Sequence, residues 1–142
     1  MKQFIVLAAV LPIMMIFVMQ TVYDQKNNYA ISIIHDFVYT AKEEAKSEGS
    51  FTPDIQDRLR NNLSRSLELS PGEITIKCGE DGDIIYYRIE VPIKNVMAGS
   101  SLLGIKEKDN RYMYVIDSYT KRRFVPDEVN VDEVGEKSIA NT

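Results

Sequence analysis

One histidine and one cysteine set a low ceiling on the chemistry available to this sequence. Acyl or group transfer needs a nucleophile, a proton shuttle and an orienting group brought together. His35 stands next to Asp36 in a run with helical spacing, and it reads as a helix-surface or packed histidine rather than a catalytic one. Cys78 is predicted on the inward face of a strand, where a thiol acts as a small apolar filler. A reactive thiolate would need exposure and nearby positive charge. A lone cysteine forms no internal disulfide, so a domain outside the cytoplasm must be stable from packing alone.

Glu80, Asp81 and Asp83 offer hard oxygen ligands of the kind calcium takes. They lack the alternating ligand run and the bidentate Glu of a helix-loop-helix site, so the spacing predicts a solvated hairpin tip and no metal site. No zinc spacing, phosphate-cradling glycine loop or nucleophile elbow occurs. Lys121-Arg122-Arg123 is a short basic run in a chain of formal net charge −4. Nucleic-acid binding normally shows as a clustered positive face, so nucleic acid is excluded as a partner and the run is expected to be a solvated edge. Tyr86, Tyr87, Tyr112, Tyr114 and Tyr119 are expected to pack across strands. The expectation is a protein that is not an enzyme and has no cofactor.

The strongest signal lies elsewhere, in the charge-free apolar run Phe4 to Met19, which includes Leu7, Pro12 and Ile16. Ten of its sixteen residues are Leu, Ile, Val or Phe. Each favours insertion by about 0.3 to 0.6 kcal/mol, so the run gains about 3 to 6 kcal/mol in a bilayer. Pro12 would cost about 3 kcal/mol in a water-exposed helix, but bilayer helices tolerate proline. Continued to Tyr23, the helix has about 20 residues and a length of about 30 Å, which matches the hydrocarbon thickness. Tyr23 is then expected in the interfacial belt. The stretch Met19-Gln20-Thr21-Val22-Tyr23-Asp24 lacks the small residues of a signal-peptidase site, so the span is expected to be retained. Lipid anchors are not expected either, on the placement of Cys78, the first glycine at Gly49 and the polar C-terminal residues. Lys2 precedes the span, while all the acidic residues follow it. The expected topology is a single pass through the bacterial cytoplasmic membrane, N-terminus inside and C-terminal domain outside.

Beyond the span, Ala30, Ile34, Phe37, Ala41 and Ala45 fall on one helical stripe. One helix is therefore predicted to run from the bilayer to Glu48, with Gly49 as its stop and Asp24 to Asn28 as a weak point where the rod breaks at the membrane surface. Thr52, Pro53 and Asp54 mark the start of a second helix, whose stripe is Ile55, Leu59, Leu63 and Leu67. Ser70-Pro71-Gly72 closes it. The period then becomes two, with Ile74, Ile76 and Cys78, a turn at Asp81-Gly82, and Ile85, Tyr87, Ile89, Val91 and Ile93. Pro92 puts the end of that second strand at an edge. A segment around Ala98-Gly99-Ser100-Ser101 is expected to hold a short helix through Leu103, before a third strand from Tyr112 to Ser118. The fold class is α+β: a transmembrane helix continuing into an amphipathic helix, a second helix, and an antiparallel sheet of about three strands. The expected domains are an anchor at 1–23, an extracytoplasmic domain at 24–125, and a flexible acidic tail at 126–142.

This order of elements resembles the layout of pilins and pseudopilins. Six segments narrow the likeness: Met1-Lys2-Gln3-Phe4, Asp24-Gln25-Lys26-Asn27-Asn28-Tyr29, Tyr39-Thr40-Ala41-Lys42-Glu43, Phe51-Thr52-Pro53-Asp54-Ile55, Tyr86-Tyr87-Arg88-Ile89-Glu90-Val91-Pro92-Ile93 and Met113-Tyr114. In these the chain is similar to the small single-span proteins of bacterial tight-adherence (Tad, or Flp) pilus systems. Typical members of those families are cut after a glycine by a prepilin peptidase, and no glycine precedes Gly49 here. The resemblance thus implies an uncleaved accessory or minor subunit, with other pilus or secretion-system subunits and the lipid bilayer as partners and self-association open. Ala8, Ala9 and the stripe Ala30, Ile34, Phe37, Ala41 and Ala45 are the expected subunit contacts; the competing reading buries the stripe against the chain's own second helix and leaves Ala8 and Ala9 facing lipid. A membrane-tethered binding or sensory module unrelated to pili is the alternative function.

Overall fold

The computed structural model describes residues 1–123. The expected tail at 126–142 lies outside the described residues. The order of elements is helix α1 (Lys2–Glu48), helix α2 (Pro53–Leu67), and strands β1 (Thr75–Asp81), β2 (Ile84–Lys94) and β3 (Arg111–Lys121). This is the α+β layout expected from the sequence: an apolar N-terminal helix, a second helix and a three-stranded antiparallel sheet in the order β1-β2-β3.

Helix α1 is 47 residues, about 70 Å, without interruption. The break expected at Asp24 to Asn28 is absent. Weak helix formers cost only a few tenths of a kcal/mol each, and extending a helix already formed on both sides carries no nucleation cost. Gln20 Nε2 also donates to Asp24 Oδ1 at 2.9 Å, one turn on. The helix stops at Gly49, where φ is 84°, a left-handed conformation that glycine adopts without steric cost.

Thr52 caps α2 by accepting a hydrogen bond from Ile55 N at 3.4 Å, and Pro53 occupies the first turn. The helix ends earlier than the Ser70-Pro71-Gly72 signal, at Glu68, which takes a left-handed φ of 53° although it is not glycine. Leu69, buried just beyond, provides the apolar contact that holds this cap.

The core lies between the two helices and one face of the sheet. Ile34, Val38, Ala41 and Ala45 of α1 meet Ile55, Leu59 and Leu63 of α2, and both sets cover Ile85, Tyr87, Ile89, Val91 and Ile93 of β2. The small side chains of Ala41 and Ala45 let the helix axes approach. Strand β2 is central, yet β1 pairs with it only as far as Thr75↔Glu90. Pro92 therefore lies where β2 has β3 alone as a neighbour, the edge position expected of a residue without an N–H.

Two local expectations are corrected. Cys78 is exposed: β1 is an edge strand whose first two residues are half-buried and whose last five, Lys77 to Asp81, are exposed. Phe51 packs instead on Tyr87 of the central strand, with ring centroids 5.3 Å apart. Nor is there a helix through Leu103. Residues 97–104 form successive turns, and a single 3₁₀ turn follows at Glu107–Asp109.

Leu63 is fully buried, with 0 % exposure. Truncation there leaves a cavity, so Leu63→Ala is expected to destabilise the fold by about 2 to 5 kcal/mol. Denaturant unfolding of the full chain in detergent, followed by circular dichroism, measures this.

Candidate functional site: the membrane-proximal junction

The residues that point to function are apolar and lie at one end of the molecule. Phe4, Leu7, Ile16 and Met19 are exposed, as is Pro12 within the helix, and α1 is long and apolar enough to cross a membrane, with none of its apolar window buried. Ala8 and Ala9 are exposed on the same segment.

The stripe that follows has a different fate. Ile34, Ala41 and Ala45 are at most 5 % exposed and belong to the chain's own core, while Ala30 and Phe37 are half-buried beside it. The structure thus places the stripe against α2, as the competing reading had it. Ile34, Ala41 and Ala45 present no surface to a neighbouring subunit.

The anchor meets the folded domain at a junction that sequence reasoning missed. Between β2 and β3 the chain makes an excursion, residues 95–110, that lies along α1. Gln20, one residue beyond the apolar run, grips it with both amide atoms: Nε2 donates to Val96 O at 3.1 Å, and Oε1 accepts from Ala98 N at 2.9 Å. Gly99 then comes against Ile16, close enough that a Cβ at Gly99 would lie 3.9 Å from the Ile16 side chain. That is ordinary van der Waals contact; glycine suits this position because its φ is +68°, a left-handed conformation that other side chains rarely adopt.

Asn110 fixes the excursion from the other side. It is 7 % exposed, and its amide is satisfied: Oδ1 accepts from Met97 N at 2.8 Å, and Nδ2 donates to Met97 O and Ser100 Oγ, both at 3.0 Å. Asn95 N donates to Asn110 O at 2.9 Å. The two roots of the excursion, Lys94 and Arg111, face each other in register, and both reach Glu73, at 3.1 Å and 3.8 Å. The Ser70 backbone N–H and the Lys94 ammonium stabilise the Glu73 carboxylate and hold its pKa below the ordinary value.

The residues with reactive side chains are otherwise engaged. His35 Nε2 lies 2.7 Å from Tyr114 Oη, with the rings edge-on at 5.9 Å, which ties α1 to β3. Burial against the sheet pushes the Cys78 thiol up to about 11 even though the residue remains exposed, so it is a neutral thiol at physiological pH. Among Glu80, Asp81 and Asp83, Glu80 is paired with Arg122, and the Asp83 carbonyl accepts from Arg122 N at 2.9 Å. Arg122 therefore closes the hairpin tip, and Arg123 N reaches Lys46 O of α1 at 3.0 Å. Among the described residues no group of three or more His, Cys, Asp or Glu could hold a metal ion. On the outer face of the sheet Tyr86 stands opposite Tyr119, with ring centroids 6.3 Å apart, and Arg88 bridges Glu90 and Asp117 at 2.8 Å and 3.1 Å. That face alternates aromatic and ionic pairs.

Comparison with known proteins finds no match to this chain among family models, curated proteins or solved structures.

Two outcomes are expected. Gln20→Ala removes the only side chain shown to hold the Ala98 N–H, so hydrogen exchange of that amide is expected to accelerate on the order of fivefold, read by exchange mass spectrometry or NMR. The depressed Glu73 pKa gives the unfolded chain the greater proton uptake in acid. Its stabilisation is complete above the ordinary carboxylate value of 4.5 and is lost as pH falls through the lower folded value. The denaturation midpoint of Glu73→Gln should accordingly vary less with pH in that window than that of the parent.

Proposed function

We propose that this chain is a non-enzymatic, membrane-anchored accessory or minor subunit in the assembly of a bacterial Tad/Flp-type pilus or secretion apparatus. It sits in the cytoplasmic membrane with its N-terminus inside and the α+β domain outside. The observation that carries the reading is the undivided α1: one helix whose first part is bare and apolar and whose last part is buried in the core of a small domain. Such a helix makes the anchor and the domain a single lever, so a contact made in the bilayer fixes the pose of the domain outside it.

Ala8 and Ala9, next to Pro12, are the contact surface for neighbouring subunits. In lipid, helices associate through close packing of small residues rather than through the hydrophobic effect. The resemblance of the segments quoted above to tight-adherence proteins supports the pilus part of the reading. A tethered binding module is the second reading. It is favoured by an open cleft of about 310 Å³ between α1, the end of α2 and the end of β2, lined by Ala30, Ile33, Leu67, Pro92, Ile93 and Lys94.

Deletion of the gene is expected to abolish surface filaments, and the wild-type copy to restore them; unchanged filaments would refute the pilus role. In a Cys78→Ser background, Ala8→Cys or Ala9→Cys should crosslink to other subunits in membranes, whereas Ala41→Cys, buried in the core, should not. Absence of crosslinks at both anchor positions would remove the proposed contact surface.

A further inference from the structure

The excursion between β2 and β3 has a composition unlike any other loop of the domain. From Val96 to Ile105 there are ten residues without a charge, bounded by Lys94 on one side and Lys106 on the other. Its largest side chains point away from the protein: Leu102 is 78 % exposed, Leu103 70 % and Met97 44 %. Exposed apolar side chains concentrated on one charge-free loop call for an explanation in terms of what surrounds them.

The position of the loop along α1 supplies that explanation. Gln20 holds Val96 and Ala98, and Ile16 packs on Gly99, so the loop runs beside the last turn of the apolar segment. A helix needs about 20 residues to cross the hydrocarbon core, and the residues up to Ile16 provide only about 24 Å of the roughly 30 Å. A span of full length therefore draws the loop down with it, to the depth at which acyl chains meet headgroups. The exposed face of the loop continues the exposed face of the anchor.

The backbone of the loop suits that environment. Leu102 N donates to Gly99 O at 2.9 Å, Leu103 N to Ser100 O at 3.1 Å, Gly104 N to Ser101 O at 3.2 Å and Ile105 N to Ser100 O at 2.9 Å. These bonds satisfy internally amides that would be costly to carry into a medium short of water. The exposed charged turn Lys106-Glu107-Lys108-Asp109 follows immediately and marks where the charge-free segment ends.

We infer that residues 96–105 form a second membrane contact, in which Met97, Leu102 and Leu103 insert into the outer layer of the same bilayer that α1 crosses. The inference rests on the reading of α1 as a membrane span. The anchor and the loop, clasped together by Gln20, then enter the lipid as one unit, and the domain is attached at two points instead of one.

The sequence contains no tryptophan, so single tryptophans report their surroundings without background. Three full-length variants, Leu103→Trp, Phe17→Trp and Tyr86→Trp, are reconstituted in phosphatidylcholine vesicles in which part of the lipid is brominated high on one acyl chain. All three positions are exposed, so the fold should accept the substitutions. The expected result is a blue-shifted emission and loss of most intensity for Leu103→Trp, quenching also for Phe17→Trp, and no quenching for Tyr86→Trp at the far end of the sheet. Quenching of Phe17→Trp with Leu103→Trp unquenched would overturn the loop contact and leave the anchor standing, including the case in which Leu103→Trp is shielded by a protein neighbour. No quenching at either position would overturn the anchor and the loop contact together.

Discussion

The burial of one stretch of α1 against α2 is the interaction on which the rest of the molecule depends. Ile34, Val38, Ala41 and Ala45 lie on the same helix as the bare Phe4 to Met19 segment. A single rod must therefore satisfy two environments. Toward its C-terminal end it is amphipathic, with one stripe in a protein core; toward its N-terminal end it is apolar all round, as a lipid-facing helix is. Only the segment from Gln20 to about Tyr29 mediates between them, and it remains helical through five consecutive polar residues.

That mediating segment explains why polar side chains gather at the junction. A helix that passes from an exposed apolar segment into a small domain leaves its last apolar turn beside the domain's edge, where an unsupported loop would fray. Gln20, Asn110 and Glu73 each hold a different part of the 95–110 excursion: the middle against α1, the interior turn, and the two strand ends. Each of the three is engaged by backbone groups or by opposite charge, and His35 with Tyr114 and Arg122 with Glu80 repeat the pattern at other seams.

Local signals in the sequence were a reliable guide wherever a single element carried its own cause. Thr52-Pro53-Asp54 announces α2 because the cap and first turn are adjacent in the chain, and the alternation Ile85 to Ile93 announces the buried face of β2 because period and burial coincide. Pro92 could be placed at an edge because a missing N–H excludes a paired one. What failed to show were properties set by distant partners. The unbroken passage through Asp24 to Asn28 depends on helix already formed on both sides. Cys78 falls in the run of exposed residues that ends the edge strand β1, and alternation along a strand does not say how far its partners cover it. The junction joins Gln20 to residues more than seventy positions away, and no periodicity encodes such a pair. Of the expected contact residues, the core positions at 34, 41 and 45 proved apolar for the fold's own sake; apolar spacing identifies a face and is silent on what covers it.

The stiffness of α1 carries the last step of the synthesis. A domain joined to a membrane span by a flexible linker explores many orientations, and a neighbour that binds it must pay for fixing one of them. Here no linker intervenes: the helix whose first part is long and apolar enough to cross a membrane is the helix that packs on α2. Rotation of the anchor about its axis then rotates the sheet with it, and the tilt of the anchor sets the height of the hairpin tip at Gly82. Gln20 adds a second connection on one side of the rod, which distinguishes the face carrying the excursion from the opposite face. A domain carried on a continuous helix in this way has little orientational entropy left to lose when that helix is held. Under the proposed assembly role, small residues such as Ala8 and Ala9, worth little as individual contacts, would then suffice to order the much larger domain.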